Sequence, residues 1–62
     1  MQQENFIGLS KKSAQDLAEI NNLIFRLIRV DERLLQEYPE DKREDRVCVE
    51  IDKGSVSKAL LQ

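Results

Sequence analysis

This chain has no histidine or tryptophan, one cysteine, one proline and two glycines among its 62 residues. Without histidine, no Ser-His or Cys-His nucleophile pair can form, and no His-containing zinc site. The single Cys48 excludes an internal disulfide and a multi-cysteine metal cluster, and suggests a reducing, cytoplasmic setting over a disulfide-stapled scaffold. No apolar run approaches the ~18 residues of a membrane span. The opening Met1-Gln2-Gln3-Glu4 lacks the basic region and apolar stretch of a signal peptide. A net charge of −2 and a pI near 5.0 do not give the basic footprint of a nucleic-acid binder. These absences lead us to expect no catalytic residues, metal or cofactor, and neither a nucleic-acid nor a membrane partner. The expected partner is another protein.

Apolar residues make up 40% and charged residues 35%, as in an ordinary folded domain rather than a disordered tail. Residues 1–62 make one domain at most. A chain this short buries only ~60% of the surface its unfolded form exposes, which leaves no room for a deep substrate cavity beside a core.

Residues 1–9 read as an extended lead-in, broken at Gly8, with Phe6, Ile7 and Leu9 available to cover a core edge. Ser10 suits a helix N-cap, since its hydroxyl can accept from a first-turn amide. Ala14, Leu17 and Ala18 follow at i, i+3 and i+4, which predicts a short amphipathic helix over 11–21 that Asn21-Asn22 stops. Residues 23–30 are rich in β-branched and aromatic types and have strand length, with Phe25 and Leu27 as core residues. Residues 46–51 alternate: Val47, Val49 and Ile51 face one way, and Arg46, Cys48 and Glu50 the other. Asp52-Lys53-Gly54-Ser55 signals a tight turn, with residues 55–60 returning as a partner strand. The middle admits a second reading. Leu17, Ile20, Ile24, Leu27, Asp31, Leu34 and Tyr38 keep a 3-4 spacing, so one long helix could run from Ser13 to Tyr38 and stop at Pro39.

The order of these elements resembles the potato inhibitor I family of serine-protease inhibitors, especially its short bacterial and fungal relatives. The resemblance covers residues 5–60. It rests on the entry Phe6-Ile7-Gly8-Leu9-Ser10 into a helix and on the run Arg43-Glu44-Asp45-Arg46-Val47 into a strand, followed by a Gly turn. It implies an α+β fold: one short helix on a small mixed sheet, with a parallel strand pair, a C-terminal hairpin and a protruding loop. It also implies that Tyr38, Pro39, Glu40, Asp41, Lys42 and Arg43 form a protein-binding loop that enters the cleft of a subtilisin- or chymotrypsin-like protease. The presented bond would be Glu40-Asp41, and Arg46 would support the loop from beneath. The chain departs from the family pattern in three places. Glu40 stands where an apolar residue is common, Pro39 where Thr is common, and Cys48 where plant members carry a second basic support.

Such inhibition depends on preorganisation, because a rigid loop has already lost the entropy that a flexible substrate loses on binding. Pro39 fixes one φ, and Arg43 and Arg46 can brace the loop through charge-assisted hydrogen bonds. The bland reading of the seven charges in 37–45 is a solvated loop with exposed ion pairs of ~0–1 kcal/mol each. Cys48 reads as a half-buried small apolar residue. Tyr38 reads as a packing residue or as a recognition anchor. Glu40 and Asp41 as an acid-base pair would need a desolvated cavity that the chain has no room for. Two other functions stay open. One is a non-inhibitory interaction module: a homo-oligomer joined through sheet edges or exposed Leu60-Leu61, or a phage or bacterial protein that blocks a host factor. The other, on the long-helix reading, is a helical dimerisation element.

Overall fold

A computed structural model describes residues 2–62. A short 3-10 helix, Gln3–Phe6, precedes helix α1, Lys11–Ile20. Four strands follow: β1, Ile24–Val30; β2, Arg33–Leu34; β3, Arg46–Asp52; and β4, Ser55–Leu61. They form one sheet in the order β2-β1-β3-β4, with β1 parallel to β3 and the other pairs antiparallel. The architecture is α+β, with the expected parallel pair and C-terminal hairpin.

Local chemistry explains where the helix begins and ends. The Ser10 hydroxyl accepts from the Ser13 amide at 3.2 Å. At the other end Asn22 takes φ 57, while the amides of Asn22 and Leu23 return to the carbonyls of Glu19 and Ala18. This paired reversal satisfies carbonyls the helix would leave open. It also ends the helix before Leu23, so the long helix from Ser13 to Tyr38 does not form. Its apolar spacing is shared between α1 and β1.

Ala14 and Ala18 are fully buried on the helix face that meets the sheet, and their small side chains let α1 sit close. The core between the layers contains Phe6, Val47, Val49, Ile51, Val56 and Ala59, with Phe25, Leu27, Val30 and Leu61 packed against it. The lead-in is not simply extended. The 3-10 turn drives Phe6 fully into the core and leaves Ile7 half exposed. Gly8 and Leu9 then exchange main-chain hydrogen bonds of 2.8 Å with Val56 on the outer edge of β4. Leu60 and Leu61 are half-buried rather than exposed, Leu61 against the core.

Both neighbours of β3 carry an irregularity at the level of Glu50. In β1 the register skips Ile28, and in β4 it skips Ser57. An extra residue in one strand shifts which side chains face which layer. Phe25, Leu27 and Val30 therefore reach the helix side together, as do Val56, Ala59 and Leu61. Neither set follows strict alternation. The turn between β3 and β4 has φ 54 at Lys53 and φ 81 at Gly54, the two-residue turn whose twist matches a hairpin. Asp31, just after β1, ties that strand to the neighbouring β3–β4 turn, since its carboxylate accepts from the Lys53 amide at 2.8 Å.

Candidate functional site

The sheet face away from α1 carries Arg26, Arg29, Arg46, Cys48, Glu50, Asp52 and Lys58. The chain between β2 and β3, residues 35–45, is tied to this side of the molecule. Residues 31–45 therefore contain a short strand and a tethered segment, exposed throughout except at the partly buried Tyr38 and Pro39.

The tethers run in sequence. The amides of Leu35 and Gln36 both donate to the carbonyl of bulged Ile28, at 2.8 and 3.2 Å. The Gln36 side-chain amide donates to Leu27 O at 3.1 Å. Arg26 Nη2 then donates to Glu37 O at 3.3 Å, Gln62 Nε2 to Pro39 O at 3.0 Å, and Arg46 Nη2 to Asp41 O at 2.9 Å. Carbonyls at 37, 39 and 41 are therefore held from the body of the protein. The main-chain groups of Tyr38, Glu40 and Lys42 enter no hydrogen bond among the described residues, and the chain bends at 40–41.

Arg46 opens β3 on the face opposite Val47 and is only 7% exposed. Its Nε donates to Gln62 O at 2.7 Å, and its Nη2 also approaches Asp41 Oδ1 at 3.3 Å. One guanidinium thus joins the loop to Gln62, the residue after β4, using the fixed fork that Lys does not have. The Asp41 carboxyl is held below its usual range, first by its own backbone amide and then by Arg46. Arg43, expected to brace the loop, instead forms a two-pronged pair with Asp45 two residues on, both contacts at 2.8 Å. It stiffens its own limb of the loop and does not span it.

Tyr38 turns inward. Its hydroxyl donates to Glu50, and Lys58 Nζ lies 5.4 Å from its ring centroid. Desolvation by burial, and then the bond to Glu50, push the phenol up from its usual range. Glu50 also accepts from Arg29 Nε at 2.8 Å, and Arg29 reaches on to both carboxylate oxygens of Asp52. Tyr38 and then Arg29 depress the Glu50 carboxyl; Arg29 and then Ser57 depress Asp52 to about 2.

Cys48 is fully buried, not half-buried, because the tethered chain and Gln62 cover its face of β3. Burial pushes its thiol up from the ordinary value. Arg26 stands against Cys48 in the parallel register, and it is Arg26 that supplies a second guanidinium to the loop. Sequence reasoning missed both Arg26 and Gln62. The only signal for Arg26 was a basic residue within an apolar strand, and Gln62 had none. Arg26 Nε is buried and has no hydrogen-bond partner among the described residues.

Glu40, Lys42 and Glu44 are exposed and form no ion pair among the described residues. An open cleft of about 440 Å³ lies beside the second limb of the loop, lined by Lys42, Arg43, Glu44, Leu61 and Gln62. The described residues hold no group of His, Cys, Asp and Glu arranged to bind a metal ion, and no helix among them is long and apolar enough to cross a membrane. No family model, curated protein or solved structure matches the chain.

Proposed function

We propose that this chain is a binding protein, not an enzyme, and that it presents residues 38–43 in substrate-like form to the cleft of a serine protease, as the inhibitors it resembles do. The alternation of tethers carries this reading. Carbonyls at Glu37, Pro39 and Asp41 are held by Arg26, Gln62 and Arg46, while the main-chain groups of Tyr38, Glu40 and Lys42 are left unused among the described residues. A peptide that adds to the edge of a partner's sheet pairs through the main-chain groups of alternate residues. A loop whose intervening carbonyls are already fixed loses little further entropy in doing so. Pro39 adds rigidity within the held stretch.

The test is inhibition of subtilisin- and chymotrypsin-like proteases by the wild type and by a variant with residues 38–43 replaced with Gly-Ser. Competitive inhibition that the replacement abolishes supports the reading. A wild type that inhibits neither protease class, or a replacement that inhibits equally well, removes it.

A second reading, the homo-oligomeric interaction module, is favoured by the exposed apolar side chains Leu34 and Leu35, in and just after β2 at the edge of the sheet. Sedimentation of the wild type and of Leu34→Lys distinguishes it. A dimer that the substitution dissociates would favour the module.

A further inference from the structure

The charges on the loop fall into two groups. Asp41 is turned back to Arg46, and Asp45 is held by Arg43. Deeper on the same side, Glu50 and Asp52 share Arg29. Among the described residues, the acidic side chains of the 37–45 stretch left without a cation are Glu37, Glu40 and Glu44, and Lys42 is its one basic side chain without an acid. Among these, Glu40 has a distinctive position. The carbonyl before it, at Pro39, is held by Gln62, and the carbonyl after it, at Asp41, is held by Arg46. Glu40 is exposed at the bend, and its own main-chain groups are unused among the described residues. It is a carboxylate presented from fixed backbone, with anchors one residue to either side.

Resting on the loop reading above, we infer that the protease this loop fits has a basic specificity pocket, that of an endopeptidase that cleaves after glutamate, and that Glu40 is the side chain entering it. The chemistry excludes the other common pockets. An acidic pocket floor, as in trypsin-like enzymes, repels Glu40 directly. An apolar pocket would strip water from the carboxylate and return no partner, and an unpaired buried charge is strongly unfavourable. A pocket lined by Arg, Lys or a protonated His supplies the missing charge-assisted hydrogen bonds. The neighbouring carboxylates do not compete for that pocket, because Asp41 is already bound to Arg46 and Asp45 to Arg43. Glu37 and Glu44 add long-range attraction toward a basic rim, which acts mainly on the association rate and weakens with salt.

The experiment measures inhibition of four enzymes: a glutamate-specific serine endopeptidase, subtilisin, chymotrypsin and trypsin. The inhibitors are wild type, Glu40→Gln and Glu40→Leu. Glu40 is exposed and pairs with no other described residue, so both variants should fold as the wild type does, which circular dichroism checks. The expected result is that the wild type inhibits the glutamate-specific enzyme and not trypsin. Glu40→Gln should weaken that inhibition at least tenfold, and Glu40→Leu should move the preference to chymotrypsin. Inhibition of subtilisin or chymotrypsin by the wild type or Glu40→Leu, with none of the glutamate-specific enzyme by the wild type, overturns the basic pocket and leaves the loop reading standing. Equal inhibition of the glutamate-specific enzyme by wild type and Glu40→Gln overturns it in the same way. If no inhibitor acts on any enzyme, or the wild type is simply cleaved after Glu40 at the rate of a flexible peptide, the loop reading itself fails and takes the inference with it.

Discussion

Arg46→Ala is the substitution whose outcome says most about how this chain works. The guanidinium donates from Nε to Gln62 O at 2.7 Å and from Nη2 to Asp41 O at 2.9 Å, from a side chain that is almost fully buried. A hydrogen bond with one charged partner contributes ~1.5–3 kcal/mol. Two offsets reduce the sum. Removing the side chain also removes the desolvation penalty of a buried cation, and water can reach the carbonyl of exposed Asp41 once the arginine is gone. The core of Val47, Val49 and Ile51 lies on the other face of β3 and keeps its packing. We therefore expect a global loss of about 1–2 kcal/mol, within the ordinary range for point mutants, with an unchanged urea m-value. The local effect should be larger in consequence: with Asp41 unanchored, partner affinity falls at least tenfold, ~1.4 kcal/mol, and cleavage within 38–43 by a non-target protease accelerates beyond what the global loss explains. Arg46→Lys should fall between the two, since one ammonium reaches either Gln62 or Asp41 but cannot reproduce the fork. The measurements are a urea curve, limited proteolysis and partner affinity for all three proteins. Unchanged loop cleavage and unchanged affinity in Arg46→Ala would refute the reasoning. So would a collapse of the whole fold, which would make Arg46 a scaffold residue and not a brace of the loop.

Acid should destabilise the protein within a defined window. Glu50 and Asp52 have folded pKa values below their ordinary 4.5 and 3.8, Asp52 at about 2. A depressed folded pKa stabilises above the unfolded value and is lost as pH falls through the folded one. The urea midpoint should thus be flat down to about pH 5 and drop between about pH 5 and pH 2; a midpoint that holds constant across that interval contradicts the network. Lys53 sits at φ 54 beside Gly54, a conformation that Asn tolerates better. Lys53→Asn should raise stability by roughly 0.5–1 kcal/mol in thermal or urea unfolding, and a loss would show that the lysine makes a compensating contact. Buried Cys48, with its thiol pushed up, should react with a thiol reagent only as fast as the protein opens. Immediate modification of the native state would place it at the surface.

Much of the fold was legible from local chemistry. Ser10 caps, Asn21-Asn22 reverses the chain, Lys53-Gly54 takes a two-residue turn, and Val47, Val49 and Ile51 alternate, each from interactions within a few residues. The seven charges of residues 37–45 likewise marked where an exposed segment would lie. The region from Leu17 to Tyr38 was not legible in the same way. Its apolar spacing suits a helix as well as a helix followed by a strand, and the choice came from the parallel pairing of Ile24–Val30 with β3, far along the chain. The two bulges opposite Glu50 arose similarly, because they bring Val30 and Val56 to a layer that strict alternation would have denied them. The loop's support is the clearest case. Arg46 was suggested by the resemblance of the run Arg43–Val47 to that of the inhibitor family. Arg26 and Gln62, in contrast, meet the loop only because β1 and the end of β4 flank β3. Tyr38 faces Glu50 only because residues 35–39 are drawn against the sheet. A sequence determines caps, turns and periodicities because those energies are local. The partners of a buried guanidinium or a tethered carbonyl depend on which strands become neighbours, and that is decided when the whole chain packs.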